Sequence, residues 1–441
     1  RFREAPPPLT LPSEGLYLGE SVFRGARKPV FVGPEDRRRH MYIIGQTGTG
    51  KSNLMNLLAQ SDMRSGQGLA VIDPHGDLVD ALAGSVPRDR YNDVIIFNPG
   101  DLERPMGMNM LEYDLAHPEQ KTFIMNELYG ILDKLYDLKV VGGPMFEQYM
   151  KNAVLLLMED AANEPATLVE LARVFTDEEF RNRKLARIAN PIVIDFWEKE
   201  ATQATGEHSL QNMASWITSK FNAFVANDYI RPIVSQTTSA FNIREIMDQG
   251  KILLVNLSKG RIGDVNANLM GMIIAGKILM AALSRTEVPE ADRRDFHVYI
   301  DEFQNFTTDS IGIIFSEARK YRLTLTVAHQ FIAQLTEKVR DAVFGNVGAV
   351  VAFRVGAPDA EFLEKQFTPT LSKGDLANVD NLNAYVRLLV GGQVVPPFNI
   401  HTPFAERGNP ELRERLKELS RTRYGRDRRE VEEALTKRLR E

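Results

Sequence analysis

At 441 residues, with 43% hydrophobic and 26% charged residues, a net charge of −5 and no cysteine, the chain has the composition of an ordinary folded protein, which excludes fibrous and disordered classes. The missing cysteines also exclude disulfides, thiolate metal sites and a cysteine nucleophile, and they agree with a cytoplasmic setting. The length suits two or three domains at ~150 residues each, and the mild acidity counts against a broadly basic nucleic-acid face.

Residues 1–38 are punctuated by Pro and Gly, with short β-like pieces such as Pro29-Val30-Phe31-Val32. They read as an N-terminal extension. Its end, Arg37-Arg38-Arg39, reads as a solvated charge run or as a phosphate or partner contact. Because the chain begins at Arg1 rather than Met and soon reaches Pro6-Pro7-Pro8, a soluble fragment is expected, with membrane contact through a missing N-terminal anchor left open.

The apolar run Met41-Tyr42-Ile43-Ile44 predicts a buried strand, and it leads into Gly45-Gln46-Thr47-Gly48-Thr49-Gly50-Lys51-Ser52. That octet fits G-x-x-x-x-G-K-[ST], and Leu54, Leu57 and Leu58 then recur at helical spacing. A loop between a strand and a helix start turns its backbone N–H groups onto phosphate, and its glycines admit dihedrals closed to other residues. Lys51 is placed to reach the β- and γ-phosphates, and the Ser52 hydroxyl to ligate Mg²⁺.

Gly68 to Asp73 predicts a further strand, closing in Pro74-His75-Gly76. Asp73 and His75 then stand at a strand's C-terminal edge, where open α/β sheets bind ligands; the alternative is a turn in which Asp77 caps the next helix. Residues 39–114 and 247–400 read as one α/β domain with a mainly parallel twisted sheet, because strands at Lys251–Leu257, Phe296–Ile300, Leu323–Ala328, Gly348–Phe353 and Ala384–Val390 alternate with helical patterns. Between its halves, residues 115–246 lose the β-branched runs and read as an inserted all-helical domain. Leu269–Leu283 is apolar, but it is interrupted by Lys277 and falls short of the ~20 residues that cross a bilayer, so it reads as a buried helix. Residues 401–441 mix both charges and read as a solvent-facing helical tail.

Phe296-His297-Val298-Tyr299-Ile300 ends in Asp301-Glu302. With the phosphate loop upstream, Asp301 is expected to hold Mg²⁺ and Glu302 to polarise the water that attacks the γ-phosphate. The absence of N-K-x-D argues against a GTPase switch, so ATP is the expected nucleotide. Lys259 and Arg261, in a Gly-containing loop after a sheet strand, read either as a plain solvated loop or as a basic loop that tracks a DNA backbone.

GQTGTGKS at 45–52, AVIDPHGDL at 70–78, YIDEFQNF at 299–306 and SEARKYRLTLTVAHQ at 316–330 together resemble the TraG/TraD-type coupling ATPases of conjugative type IV secretion, within the HerA/FtsK motor superfamily. The resemblance implies a RecA-like P-loop NTPase, ATP with Mg²⁺, a homo-hexameric ring and DNA as substrate. It further implies relaxase and secretion-channel partners, met through the helical domain at the inner face of the cell membrane. By resemblance Gln330 is the γ-phosphate sensor and Arg319 the arginine finger supplied by a neighbouring subunit. From the residues alone, Gln330 equally caps a strand, and Arg319, beside Lys320 and Arg322, equally belongs to a solvated basic face. Rival functions in view are a translocase of DNA repair, a protein-export ATPase, and a gating module that translocates nothing.

Overall fold

The computed structural model describes residues 2–206, 209–308 and 310–440, and the chain divides into two compact units. The first holds residues up to 97, 243–257 and 281–420; the second holds 98–242, 258–280 and 421 onward.

The first unit is built on strands β1 (Leu16–Phe23), β2 (Ala26–Val32), β3 (Met41–Ile44), β4 (Gly68–Asp73), β5 (Val94–Phe97), β6 (Ile252–Asn256), β7 (Phe296–Ile300), β8 (Leu323–His329), β9 (Ala349–Ala352), β10 (Asn383–Arg387) and, beyond the small β11 (Leu389–Val390) and β12 (Gln393–Val394) pair, β13 (Phe398–His401). Eleven of them form one sheet in the order β2-β1-β13-β10-β9-β3-β8-β7-β4-β6-β5. From β9 to β5 every pairing is parallel, and from β2 to β9 every pairing is antiparallel. The parallel strands are buried at every position, as near-continuous Val/Ile/Leu runs require of strands covered on both faces. The partly exposed β1 instead mixes buried and half-buried positions.

The N-terminal stretch is less independent than its Pro and Gly content suggests. β1 and β2 form a hairpin whose two-residue turn, Arg24-Gly25, has φ of +50° and +81°, the positive pair that suits the strands' twist. β1 then joins the main sheet through β13, with Glu20 opposite His401. Arg37 and Arg38 are neither solvated nor phosphate contacts. Arg37 lies buried on Asp62 of the Lys51–Arg64 helix through hydrogen bonds of 2.7 and 2.5 Å, and Arg38 pairs with Asp295 at 2.7 Å.

The C-terminal residues form helices Pro410–Tyr424 and Arg428–Arg440. The first is no free appendage: its Ser420 hydroxyl accepts the Ile96 N–H of edge strand β5 at 2.8 Å, and Leu416 is buried. An otherwise bare edge is blunted in this way.

The second unit is helical over residues 98–242, with no strand among the described residues. Helices Gln120–Tyr136, Gly143–Glu159 and Leu210–Val225 enclose Phe146, Tyr149, Trp197 and Phe224. A fully buried Lys184–Asp160 pair at 3.0 Å sits among them. The apolar helix expected from Leu269 starts earlier, at Asp264, and runs 20 residues to Leu283. By length and hydropathy it is able to cross a bilayer, yet 72% of its apolar window is buried.

Candidate nucleotide-binding site

β3 delivers the chain to the loop, and the Lys51–Arg64 helix leaves it. Gly48 and Gly50 have φ of +78° and +128°. A Cβ at Gly50 would meet the Phe353 ring at 2.9 Å, so both conformation and space demand glycine there. The helix buries Leu54, Met55, Leu58, Ala59 and Met63 against the sheet, each large side chain contributing about 1.5–3 kcal/mol. That anchors a helix start whose free N–H groups face the loop.

Lys51 is buried, and its ammonium donates to the carbonyl oxygens of Gly45 at 2.6 Å and Gln46 at 3.2 Å. Burial lowers its pKa, with Asp301 and Glu302 pulling the other way. The Ser52 hydroxyl donates to Asp301 Oδ2 at 3.3 Å. Burial, then Asp73 and Glu302, pushes Asp301 up to about 6: three acids converge where one lysine stands opposite them. A hydroxyl and a carboxylate are the hard oxygen donors that suit Mg²⁺, which keeps most of its positions for phosphate and water. Among the described residues no group of three or more His, Asp or Glu is placed to hold a metal ion.

Glu302 follows directly and adopts a left-handed conformation, φ +47°. For a non-glycine residue this costs on the order of 1 kcal/mol, and such strain persists where the surroundings enforce it. Here they do: Gln304 Nε2 and Gln330 Nε2 each donate to one Glu302 oxygen at 2.7 Å. Gln330 Oε1 in turn accepts from Thr47 Oγ1 at 3.1 Å. The loop, the glutamine after β8 and the acidic strand end are therefore one hydrogen-bonded chain, Thr47–Gln330–Glu302–Gln304.

The Asp73–His75 turn takes the capping alternative, with the cap supplied by Asp73 rather than Asp77. The Asp73 carboxylate accepts from the N–H groups of His75, Leu78 and Val79 at 2.9–3.1 Å, and His75 is exposed. Arg319 is not in contact with the loop. It lies in the one-turn helix Ala318–Tyr321, exposed and without a side-chain partner among the described residues, whereas Lys320 pairs with Glu317 and Arg322 with Asp295. Lys259 and Arg261 belong to the second unit, in a single helical turn, Lys259–Ile262, rather than an open loop. Lys259 pairs with Asp264 at 3.2 Å; Arg261 is exposed.

Three participants carried no local signal. Gln304 supports Glu302. Arg354, after β9, donates Nε to Gln46 Oε1 at 3.3 Å, with Val379 O and Asn381 Oδ1 as its other acceptors. Leu382 N donates to Thr49 O at 2.8 Å. The loop residues that Arg354 and Leu382 reach lie hundreds of residues away in sequence, so only the fold reveals them.

A phosphate-loop sequence after β3, an acidic pair at the end of a second parallel strand, β7, and a glutamine at the end of β8 between them define a RecA-like P-loop NTPase. Residues 16–279 match the family profile described as "Helicase HerA, central domain", more than half of the chain, and the protein belongs to that family. No curated protein matches. Among solved structures, the bacterial conjugative coupling protein TrwBdeltaN70 in its unbound monoclinic form is similar at 17% identity and TM-score 0.60, over 91% of this chain and 93% of that one. TrwB in complex with ADP and Mg²⁺ gives 17% and 0.62, over 86% and 88%. VirB4 of Thermoanaerobacter pseudethanolicus gives 14% and 0.60, over 91% and 99%. At these identities the likeness is one of fold.

Proposed function

We propose that the protein is an ATP-hydrolysing ring motor that couples DNA to a type IV secretion channel. The observation that carries the reading is the hydrogen-bonded chain from Thr47 through Gln330 to Glu302, set beside the Ser52–Asp301 pair: it links nucleotide occupancy to the carboxylate that serves as base. Family membership supports a motor, and the conjugative coupling protein with the same fold supports the secretion setting.

The loop amides and Lys51 take the β- and γ-phosphates, so that the γ-phosphate faces Glu302 and Gln330. Ser52 and Asp301 would hold Mg²⁺, which supplies charge neutralisation to the transferring phosphoryl group. A phosphate arriving at Thr47 competes for the hydroxyl that now holds Gln330. Gln330 then turns from Glu302, whose Oε1, with Oε2 still on Gln304, accepts a proton from the attacking water as the water oxygen bonds to phosphorus and the ADP oxygen leaves. In this reading the exposed Arg319 enters a neighbouring subunit's site in a homo-hexamer and stabilises transition-state charge. DNA is held by basic residues such as Lys259 and Arg261, the helical unit docks a relaxase or channel protein, and the motor works on the cytoplasmic side of a membrane.

The test is ATPase activity with and without DNA over a salt series. Stimulation by DNA that falls steeply with salt, as phosphate-dominated binding demands, supports the motor. Turnover indifferent to DNA at every salt points instead to a gating module.

A further inference from the structure

Resting on the nucleotide reading of the same loop, we propose that Phe404 is the platform on which the purine base of the bound nucleotide stacks.

The direction in which the nucleotide must lie is fixed by the sheet. Glu302 and Gln330 mark the γ-phosphate end, on the β8 side of β3, and β3 lies between β8 and β9. The rest of the nucleotide therefore leaves toward the β9 side. Asn53 follows Ser52 in the first turn of the Lys51–Arg64 helix.

That side of the loop is walled by two distant segments tied to it by hydrogen bonds. Leu382 N donates to Thr49 O at 2.8 Å, and Thr402 N donates to Leu382 O at 2.8 Å. The Asn53 side chain grips both chain neighbours of Phe404: Nδ2 donates to Pro403 O at 2.8 Å, and Oδ1 accepts from Ala405 N at 3.0 Å. Two residues on, Glu406 O accepts from Gln60 Nε2 at 2.9 Å. The backbone carrying Phe404 is thus fastened to the nucleotide helix itself, yet the Phe404 side chain is 78% exposed.

A large apolar ring left in water on a fastened backbone gains nothing for the fold. Placed at the base end of a phosphate loop, it offers a π-face, and every purine presents one in return. Phe404 has no hydrogen-bonding group, so it reads the ring's face and adds affinity without reading its edge.

The test compares Mg²⁺-ATP and inorganic tripolyphosphate binding, by calorimetry, in the parent, Phe404→Ala and Phe404→Tyr. Phe404→Ala should bind ATP about tenfold more weakly, the loss expected of one base–aromatic stack, and tripolyphosphate within about twofold of the parent. Phe404→Tyr should keep ATP affinity. Unchanged ATP affinity in Phe404→Ala, or an equal loss for tripolyphosphate, overturns the assignment and leaves the phosphate loop standing. A parent that binds tripolyphosphate no worse than ATP also overturns it, whereas a parent that binds neither overturns the nucleotide reading as well.

Discussion

Strand β7 carries charged residues at both ends, and the two ends are treated in opposite ways. At its start, Asp295 lies under Arg38, and Tyr299 along the strand donates at 2.5 Å to Asp62, which Arg37 already holds. Burial disfavours the charge on Asp62, but Arg37 and its hydrogen bonds outweigh it and hold its pKa below the usual carboxylate value. At the other end, Asp301 and Glu302 lie near a third acid, Asp73, with Lys51 the opposing cation, and burial raises Asp301 to about 6. The saturated end is architecture. The end left short of positive charge and strained at Glu302 has the character of a functional site, and in the proposed reading it receives a polyanion with its cation.

The largest expected effect concerns the unsaturated end. Arg319→Ala should bind ATP like the parent yet turn it over ~10³-fold more slowly, because a trans guanidinium matters mostly in the transition state. Mixed rings with Lys51→Ala subunits should regain activity at interfaces that pair an intact loop with an intact arginine. Steady-state ATPase of such mixtures decides it, and no recovery in proven mixed rings would contradict the trans role.

Next comes the saturated end. Arg37→Ala strands buried Asp62 and should cost about 3–5 kcal/mol in urea unfolding. Asp301→Asn should do the reverse, gaining about 1 kcal/mol as it removes a carboxylate the fold leaves uncompensated, while ATPase activity is abolished. If both substitutions destabilised alike, the contrast between the ends would disappear.

These pairs explain what was legible in the sequence. The loop and Asp301-Glu302 are local strings with strand and helix context, so they announce themselves. Arg37 did not: its partner Asp62 is 25 residues on, and from composition a run of three arginines looks solvated. The fate of the C-terminal segment rested in the same way on Ser420 finding β5, and the role of Asp73 on a helix cap that a strand-end acid shares with ligand sites. The left-handed backbone of Glu302 has no sequence signal at all.

A smaller effect comes from histidine burial. His40, His297 and His329 are each lowered to about 4, chiefly by burial. Their unfolded forms take up protons from about pH 6.5 downward while the folded forms do not, so stability falls as pH drops from 6.5 toward 4. The decrease is about 1.4 kcal/mol per pH unit for each histidine inside that window. His40→Asn should flatten this acid limb in urea titrations at several pH values; an unchanged slope would mean that His40 is not buried neutral. The mildest expected change is Lys259→Ala with Arg261→Ala, which should reduce the salt slope of DNA binding by about one for each phosphate that is no longer neutralised. An unaltered slope removes them from the DNA path.

As proposed, the unsaturated end of β7 is a hydrolytic centre whose base is Glu302. The most direct test of this claim measures ATP binding and single-turnover hydrolysis by Glu302→Gln side by side. ATP should be bound with the parent's affinity and cleaved about 10²–10⁴-fold more slowly, the range that a positioned base contributes. Cleavage at the parent's rate would contradict the claim.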